Sequence, residues 1–455
     1  MNIRVQHYLL IIKVFKYVAL LVGLLVLLRA LPAKFWAKCL IALTLSVLIS
    51  HLYLISHLAW FGFDFQIFLR VGRDVRAGID PYSPERFAEL PFLNPPPALP
   101  LFALFDAMPM RVSLGLWTVL NIASTLGLVV LARYSLIAQS QIESGAEHER
   151  SGLRKLGDVQ IAGLAVCLLF SDSSLRGLYL GQLNVFVAFM VLLALVAQGR
   201  ARPSWAGIYL SLATVKFVTM IPFLMLFLRR SDRWTWAALI ASLLGLCALT
   251  GRLSELPSRL AILAHGAEEL AAPGKVNDYS YEGTQNENII SFEHLFYRIG
   301  MRDRRWIRYS QFLALLAVGG WVAHRVLLGN MPRPAAASLV SLFSLLFLYH
   351  RDYDTVILAL PLVYCAGRVS VTTSRLRRLY ATCGALVLAV LFMNVPYLNF
   401  LTRLSVHRGG WGRLVQLTVL PYPTWLILLA MFLLIWATRL DRAPSTGVSE
   451  WEGDT

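Results

Sequence analysis

Charge is scarce in this chain. Asp, Glu, Lys and Arg make up 15% of its 455 residues, where a soluble domain carries about a quarter. Apolar residues fill the gap: 57% are hydrophobic, and the mean hydropathy is +0.61. That balance excludes an ordinary soluble enzyme. It points to an all-α polytopic membrane protein, because a backbone in lipid must satisfy its hydrogen bonds within helices or a closed barrel. The apolar runs are continuous and do not alternate, which excludes the barrel. Residues 1–440 read as one integral-membrane domain, and 441–455 as a polar cytoplasmic tail.

Several kinds of chemistry lack their signatures. There is no Gly-rich phosphate loop, no Ser-His-Asp spacing and no HExxH. The five cysteines, Cys39, Cys167, Cys247, Cys365 and Cys383, show neither a CxxC spacing nor a His at ligand distance. They read as small buried residues, with no disulfide framework. Nothing in the sequence calls for a metal or a cofactor. The first span has no small-residue cleavage site and is expected to remain as a helix. No paired repeat with broken helices is visible, which argues against a transporter. The net charge of +16 does not indicate nucleic acid. The Lys and Arg sit in short loops between apolar runs, the orientation signal of a membrane protein.

Followed in order, Met1 to Leu31 is an expected first helix, and Leu40 to Trp60 crosses outward past a basic loop at Arg29, Lys34 and Lys38. Residues 61–97 form the first outer loop. In it, Phe65 to Val75 is patterned as a short surface helix with Arg70, Arg73 and Arg76 near lipid phosphates. Gly78 and Pro81 break that helix, and Pro95, Pro96 and Pro97 set the re-entry angle. Ala98 to Met108 reads as a half-depth segment. Leu114 to Tyr134 returns inward to a charged loop at 141–158. Ile161 to Phe170 goes outward, ending near Arg176, and Gly181-Gln182-Leu183-Asn184 starts the inward helix Val185 to Ala197.

Two basic clusters, Gly199 to Arg202 and Arg229 to Arg233, belong on the same side. The apolar stretch between them, interrupted by Lys216 and Pro222, is expected to be a re-entrant hairpin of two half-helices. That would bring Lys216 near mid-membrane, where a charge needs a partner. Trp236 to Thr250 leads to an outer polar segment over 251–292. Phe312 to Leu328 and Ala337 to Tyr349 form the next inward and outward crossings, the second ending at His350-Arg351-Asp352-Tyr353-Asp354. Val356 to Ala366, Leu379 to Phe392, the outer loop Asn394 to Gly410 and Val415 to Trp436 complete roughly eleven crossings at about 20 residues each.

This topology collects ionisable groups from distant parts of the chain on one side, as a membrane protein does when it builds a site. Asp64 either caps the surface helix or acts as general base for a hydroxyl attacking an anomeric carbon. A single base suffices for inversion, unlike the paired carboxylates of hydrolases. His350 and Asp352 either end a helix or form an acceptor-orienting pair, with the His tuned by the Asp. Arg351 either reaches lipid headgroups or holds a donor phosphate, a role open also to Lys216 and Arg70. Gln182 and Asn184 are helix caps or sugar-hydroxyl partners. Asp80 reads as a turn residue before Pro81, and Tyr82 as an interface anchor; both remain candidates for substrate contact.

These residues resemble a known family. Asp64-Phe65, Gly78-Ile79-Asp80-Pro81-Tyr82, Asn94-Pro95-Pro96-Pro97, Gly181-Gln182-Leu183-Asn184 and Lys216 before an Arg-rich turn look like glycosyltransferase family 87, a branch of the C-type superfamily. The resemblance runs from about Leu40 onward. It implies a C-type helical bundle, a polyprenyl-phosphate sugar donor, inversion, and a site on the outer face with Asp64 as base and His350 as a second catalytic group. The expected function is transfer of a hexose, mannose among the candidates, to a lipid-linked or envelope glycan acceptor in the plasma or inner membrane. An envelope polysaccharide polymerase or ligase and a lipid-linked sugar transporter are the alternatives.

Overall fold

The computed structural model of the chain describes residues 18–22, 61–89, 92–141, 147–228, 232–250, 253–280, 282–283, 289–329, 331–372, 374–392 and 421–441. Most of the expected first span, the whole of the second, the outer loop Asn394 to Gly410 and most of the polar tail lie outside these residues.

The described fold is nearly all helix. The longer helices are α1 (Phe63–Arg76), α2 (Leu99–Asp106), α3 (Met110–Gln141), α4 (Asp158–Leu169), α5 (Asp172–Leu180), α6 (Asn184–Gly199), α7 (Pro203–Ala213), α8 (Arg233–Ala248), α9 (Leu256–Leu270), α10 (Arg304–Ala323), α11 (Arg333–Ser344), α12 (Ala359–Val369), α13 (Ser374–Leu391) and α14 (Tyr422–Leu440). The two-residue strands β1 (Ile289–Ile290) and β2 (His350–Arg351) pair antiparallel, with Ile289 opposite Arg351 and Ile290 opposite His350. Four described helical segments are long and apolar enough to cross a membrane, or up to six if each bent pair is one span.

The central pack is α3 against α4 and α6, α6 against α7, and α7 against α8. A second run, α11 to α12 to α13 to α14, closes on it. All of α12, and all of α11 after Arg333, is buried. By contrast, α10 exposes Trp306, Tyr309, Phe312 and Leu313, as a lipid-facing helix does. Its start is fixed by Asp303, whose carboxylate accepts from the Arg305 and Trp306 amides at 2.7 and 3.4 Å, satisfying donors that the helix leaves open.

Two breaks position the site. Between α4 and α5 the path bends by 54° at Ser171. Its hydroxyl donates to the Leu168 carbonyl at 2.7 Å and accepts from the Ser174 amide at 3.3 Å, so one side chain ends α4 and caps α5. The second break is the stretch Pro203–Phe227. By length and composition it could span a membrane, and a straight helix of that length would separate its ends by about 37 Å. Yet Gln198, just before it, donates to the Leu226 carbonyl at 3.2 Å and to Asp232 at 3.4 Å. The two ends therefore lie together, and the segment is a hairpin turning at Lys216, whose backbone leaves the helical region at φ −135°, ψ 73°.

Some expectations are corrected. The surface helix begins at Phe63, with Gly62 at its N-cap and no side-chain cap, so Asp64 lies inside the first turn and is not the cap. The segment read as half-depth is α2, seated across α1. Part of the charged loop is helical, with α3 running to Gln141 and a further turn at Glu147–Arg154. The α1–α2 crossing is close enough that a Cβ on Gly72 would lie 2.2 Å from the Phe102 carbonyl oxygen. Gly72→Val is expected to cost about 1–3 kcal/mol by overpacking, read as a lower unfolding temperature of the detergent-purified protein.

Candidate active site

Asp64 is anchored through its helix before its side chain does anything. The Gly62 amide donates to the Tyr179 carbonyl at 2.9 Å, and the Trp117 indole donates to the Gly181 carbonyl at 3.1 Å. The Phe65 ring stacks on Trp117 with centroids 5.2 Å apart. Gly181 ends α5 at φ +72°, and a Cβ there would meet the Phe65 Cβ at 2.6 Å, so only glycine allows this contact. The start of α1 is thereby clamped on the turn between α5 and α6, and Gln182 of that turn donates its amide to the Asp64 carboxylate.

The stretch His350 to Asp354 is held by the same turn region. The Tyr353 carbonyl accepts from the Ser173 hydroxyl at 2.9 Å and from the Asn184 amide. Lys216, at the hairpin tip, pairs with Asp354 and lies 4.7 Å from the Tyr353 ring centre. Arg176 on α5 pairs with Asp352 at 3.0 Å. Arg351 donates to the Tyr349 hydroxyl, to the Val276 carbonyl at 3.0 Å and to Asn277 at 2.9 Å.

The two carboxylates in this stretch are buried, with Asp352 1% and Asp354 3% exposed. Their cations reach further out, Arg176 at 26% and Lys216 at 22%. Asp64 is half-buried. Burial pushes its carboxyl above the usual range, while the Gln182 hydrogen bond and the charges of Arg351, Lys216 and Arg176 pull it back. Asp354 goes the other way: burial would raise it, but Lys216 and His350 outweigh that and hold it well below the ordinary carboxylate value. Burial raises Asp352 against the pull of Arg176. Burial and neighbouring cations thus push the two carboxyls in opposite directions, Asp64 up and Asp354 down.

The structure thus brings together Asp64, Gln182, Asn184, Lys216, Arg351, Asp352 and the His350–Asp354 pair. Asp80, Tyr82 and Arg70 take other positions. His350 is fully buried, with Nδ1 on Asp354 at 3.2 Å and Nε2 without a hydrogen-bond partner among the described residues. From there its ring holds the Asp354 carboxylate. Asp80 accepts from the Tyr82 amide at 3.1 Å and pairs with Arg259 at 3.2 Å. Tyr82 is fully buried and its hydroxyl donates to the Asn94 carbonyl at 2.6 Å. Both shape the outer-loop turn. Arg70 lines a separate cleft on another face of α1. Among the described residues no three His, Cys, Asp or Glu side chains are grouped to hold a metal ion.

Sequence reading missed Arg176 as a site residue. Its signal was present: a charge within an outward apolar path demands a partner. Ser173, Tyr349 and Asn277 carried no signal, because each acts through a hydrogen bond that only the fold creates.

The fold and this cluster define an integral-membrane protein that gathers charged side chains from distant parts of its chain. The chain belongs to glycosyltransferase family 87: the family's model matches residues 92–348, more than half of the 455. It is a membrane glycosyltransferase. Arg176, Gln182, Asn184 and Lys216 fall inside the matched stretch, whereas Asp64 and His350 to Asp354 flank it. No curated protein and no solved structure matches the chain.

Proposed function

We propose that the protein moves a hexose from a polyprenyl-phosphate carrier to a lipid-linked or envelope glycan, with inversion at the anomeric carbon. The observation that carries this is the setting of Asp64: a half-buried carboxylate, raised by burial, in the field of three cations, two of them reaching outward. Asp64 takes the proton of an acceptor hydroxyl as that oxygen bonds to the anomeric carbon. The bond from the anomeric carbon to the phosphate oxygen breaks, and the phosphate leaves with the electron pair. Lys216 and Arg176 meet the charge that grows on it. Asp352, Asp354 and His350 hold those two cations in place. One displacement gives inversion, so a second carboxylate nucleophile is not needed.

The basic residues favour a site on the non-cytoplasmic face. Gln139, Gln198, Leu226 and Arg333 converge at the other end of the bundle, and Arg200, Arg202 and Arg233 lie on the same loops. By the positive-inside rule that end faces the cytoplasm. A C-type fold and an envelope setting agree with this arrangement.

The test is transfer by the purified full chain from a radiolabelled polyprenyl-phosphate hexose to a membrane glycolipid extract. Transfer from that donor, with none from the nucleotide sugar or the diphosphate-linked oligosaccharide, is the expected result. Transfer from the nucleotide sugar alone would remove the lipid-phosphate donor from this proposal.

A further inference from the structure

Beside the Asp64 site, and separate from it, lies a cleft of about 660 Å³ between α1 and the turn from α2 into α3. Its lining includes Gln66, Arg70, Arg73, Arg76, Met108 and Met110. On α1 these positions recur at helical spacing and form one face, while Asp64 is two residues and about 200° around the helix from Gln66. Arg73 and Arg76 lie 3.6 and 3.2 Å from Asp106. Among the described lining residues three guanidiniums face one carboxylate, an excess of two positive charges. Arg70 is exposed and makes no ion pair among the described residues.

The level of the cleft in the membrane follows from α3. Its 32 residues make about 48 Å of helix, against about 30 Å of hydrocarbon and 40–45 Å with headgroups. Its first residue, Met110, therefore emerges at the headgroup layer. Met108 and Met110 give the cleft an apolar lip on the side of the span, and the arginines line the opposite side.

We propose that this cleft is a binding site for the phosphate of an anionic membrane lipid, held by Arg70 with Arg73 and Arg76 while its chains descend past Met108 and Met110. The guanidinium fork matches phosphate oxygens two at a time. The site is distinct from the sugar-transfer chemistry and does not depend on it.

Native mass spectrometry of the detergent-purified full chain, given equal amounts of phosphatidylglycerol and phosphatidylcholine, tests this. The protein is expected to retain phosphatidylglycerol in excess. Arg70→Gln, which leaves both Asp106 pairs intact, is expected to lower that retention roughly tenfold, the loss of one charge-assisted contact. Asp64→Asn is expected to leave it unchanged, so a failure of the transfer mechanism would not touch this result. Equal retention of the two lipids, full retention by a folded Arg70→Gln protein, or displacement of the lipid by an equal concentration of inorganic phosphate would each overturn the proposal.

Discussion

Asp64→Asn is expected to lower sugar transfer by about 10²–10⁴-fold, the usual contribution of a positioned general base, while leaving the fold intact. The asparagine keeps an oxygen that can accept from Gln182, so the local contact survives and only the proton acceptor is lost. Stability should move in the other direction. Burial raises the folded pKa of Asp64 above its ordinary 3.8. A raised folded pKa contributes stability below the unfolded value and loses it as pH rises through the folded one. At neutral pH the ionised carboxylate therefore weighs against folding, and replacing it should hold or raise the unfolding temperature. The same shift places the acid limb of turnover above pH 3.8 in the wild type. Full turnover by a folded Asp64→Asn protein, or inactivity explained by a much lower unfolding temperature, would remove Asp64 from its assigned role.

Lys216→Met is expected to be the most damaging single change to stability, at about 3–5 kcal/mol. It strands Asp354, which is buried and owes its low pKa to Lys216 and then His350. Because that folded pKa is depressed, the pair's contribution is present above the ordinary carboxylate value and is lost as pH falls below it. The double variant Lys216→Met with Asp354→Asn should recover most of the stability, since no buried charge is left alone. It should not recover transfer, because the outward-reaching ammonium is gone. Thermal unfolding and turnover of the two variants separate the structural from the catalytic share of this lysine. If the double variant is as unstable as the single, the penalty lies in packing at the hairpin tip and not in the charge.

Much of this was legible in the sequence because membranes impose strong patterns. Two basic clusters flanking one apolar stretch demanded a hairpin with Lys216 at its turn, and the Gln198 contacts place its ends together. The grouping of Asp64 with the His350 to Asp354 stretch was readable from topology alone. What escaped was set by tertiary geometry. Asp64 was taken to precede its helix because Phe65 opens the apolar pattern, whereas Gly62, with its left-handed backbone, starts the helix two residues earlier. His350 was paired with Asp352 in the sequence reading, whereas its ring faces Asp354, four residues on. Asp80 and Tyr82 carry a turn, as Asp before Pro suggests. Arg176 was passed over because its partner lies 176 residues away.

The hairpin also sets an order of events during synthesis. Lys216 and the acid that neutralises it are 138 residues apart. At a ribosomal speed of about 5–20 residues per second, roughly 7–28 s pass between their appearances. Throughout that interval Asp354 does not yet exist, so the ion pair that fixes the tip in the finished fold can form only after α11 has been made.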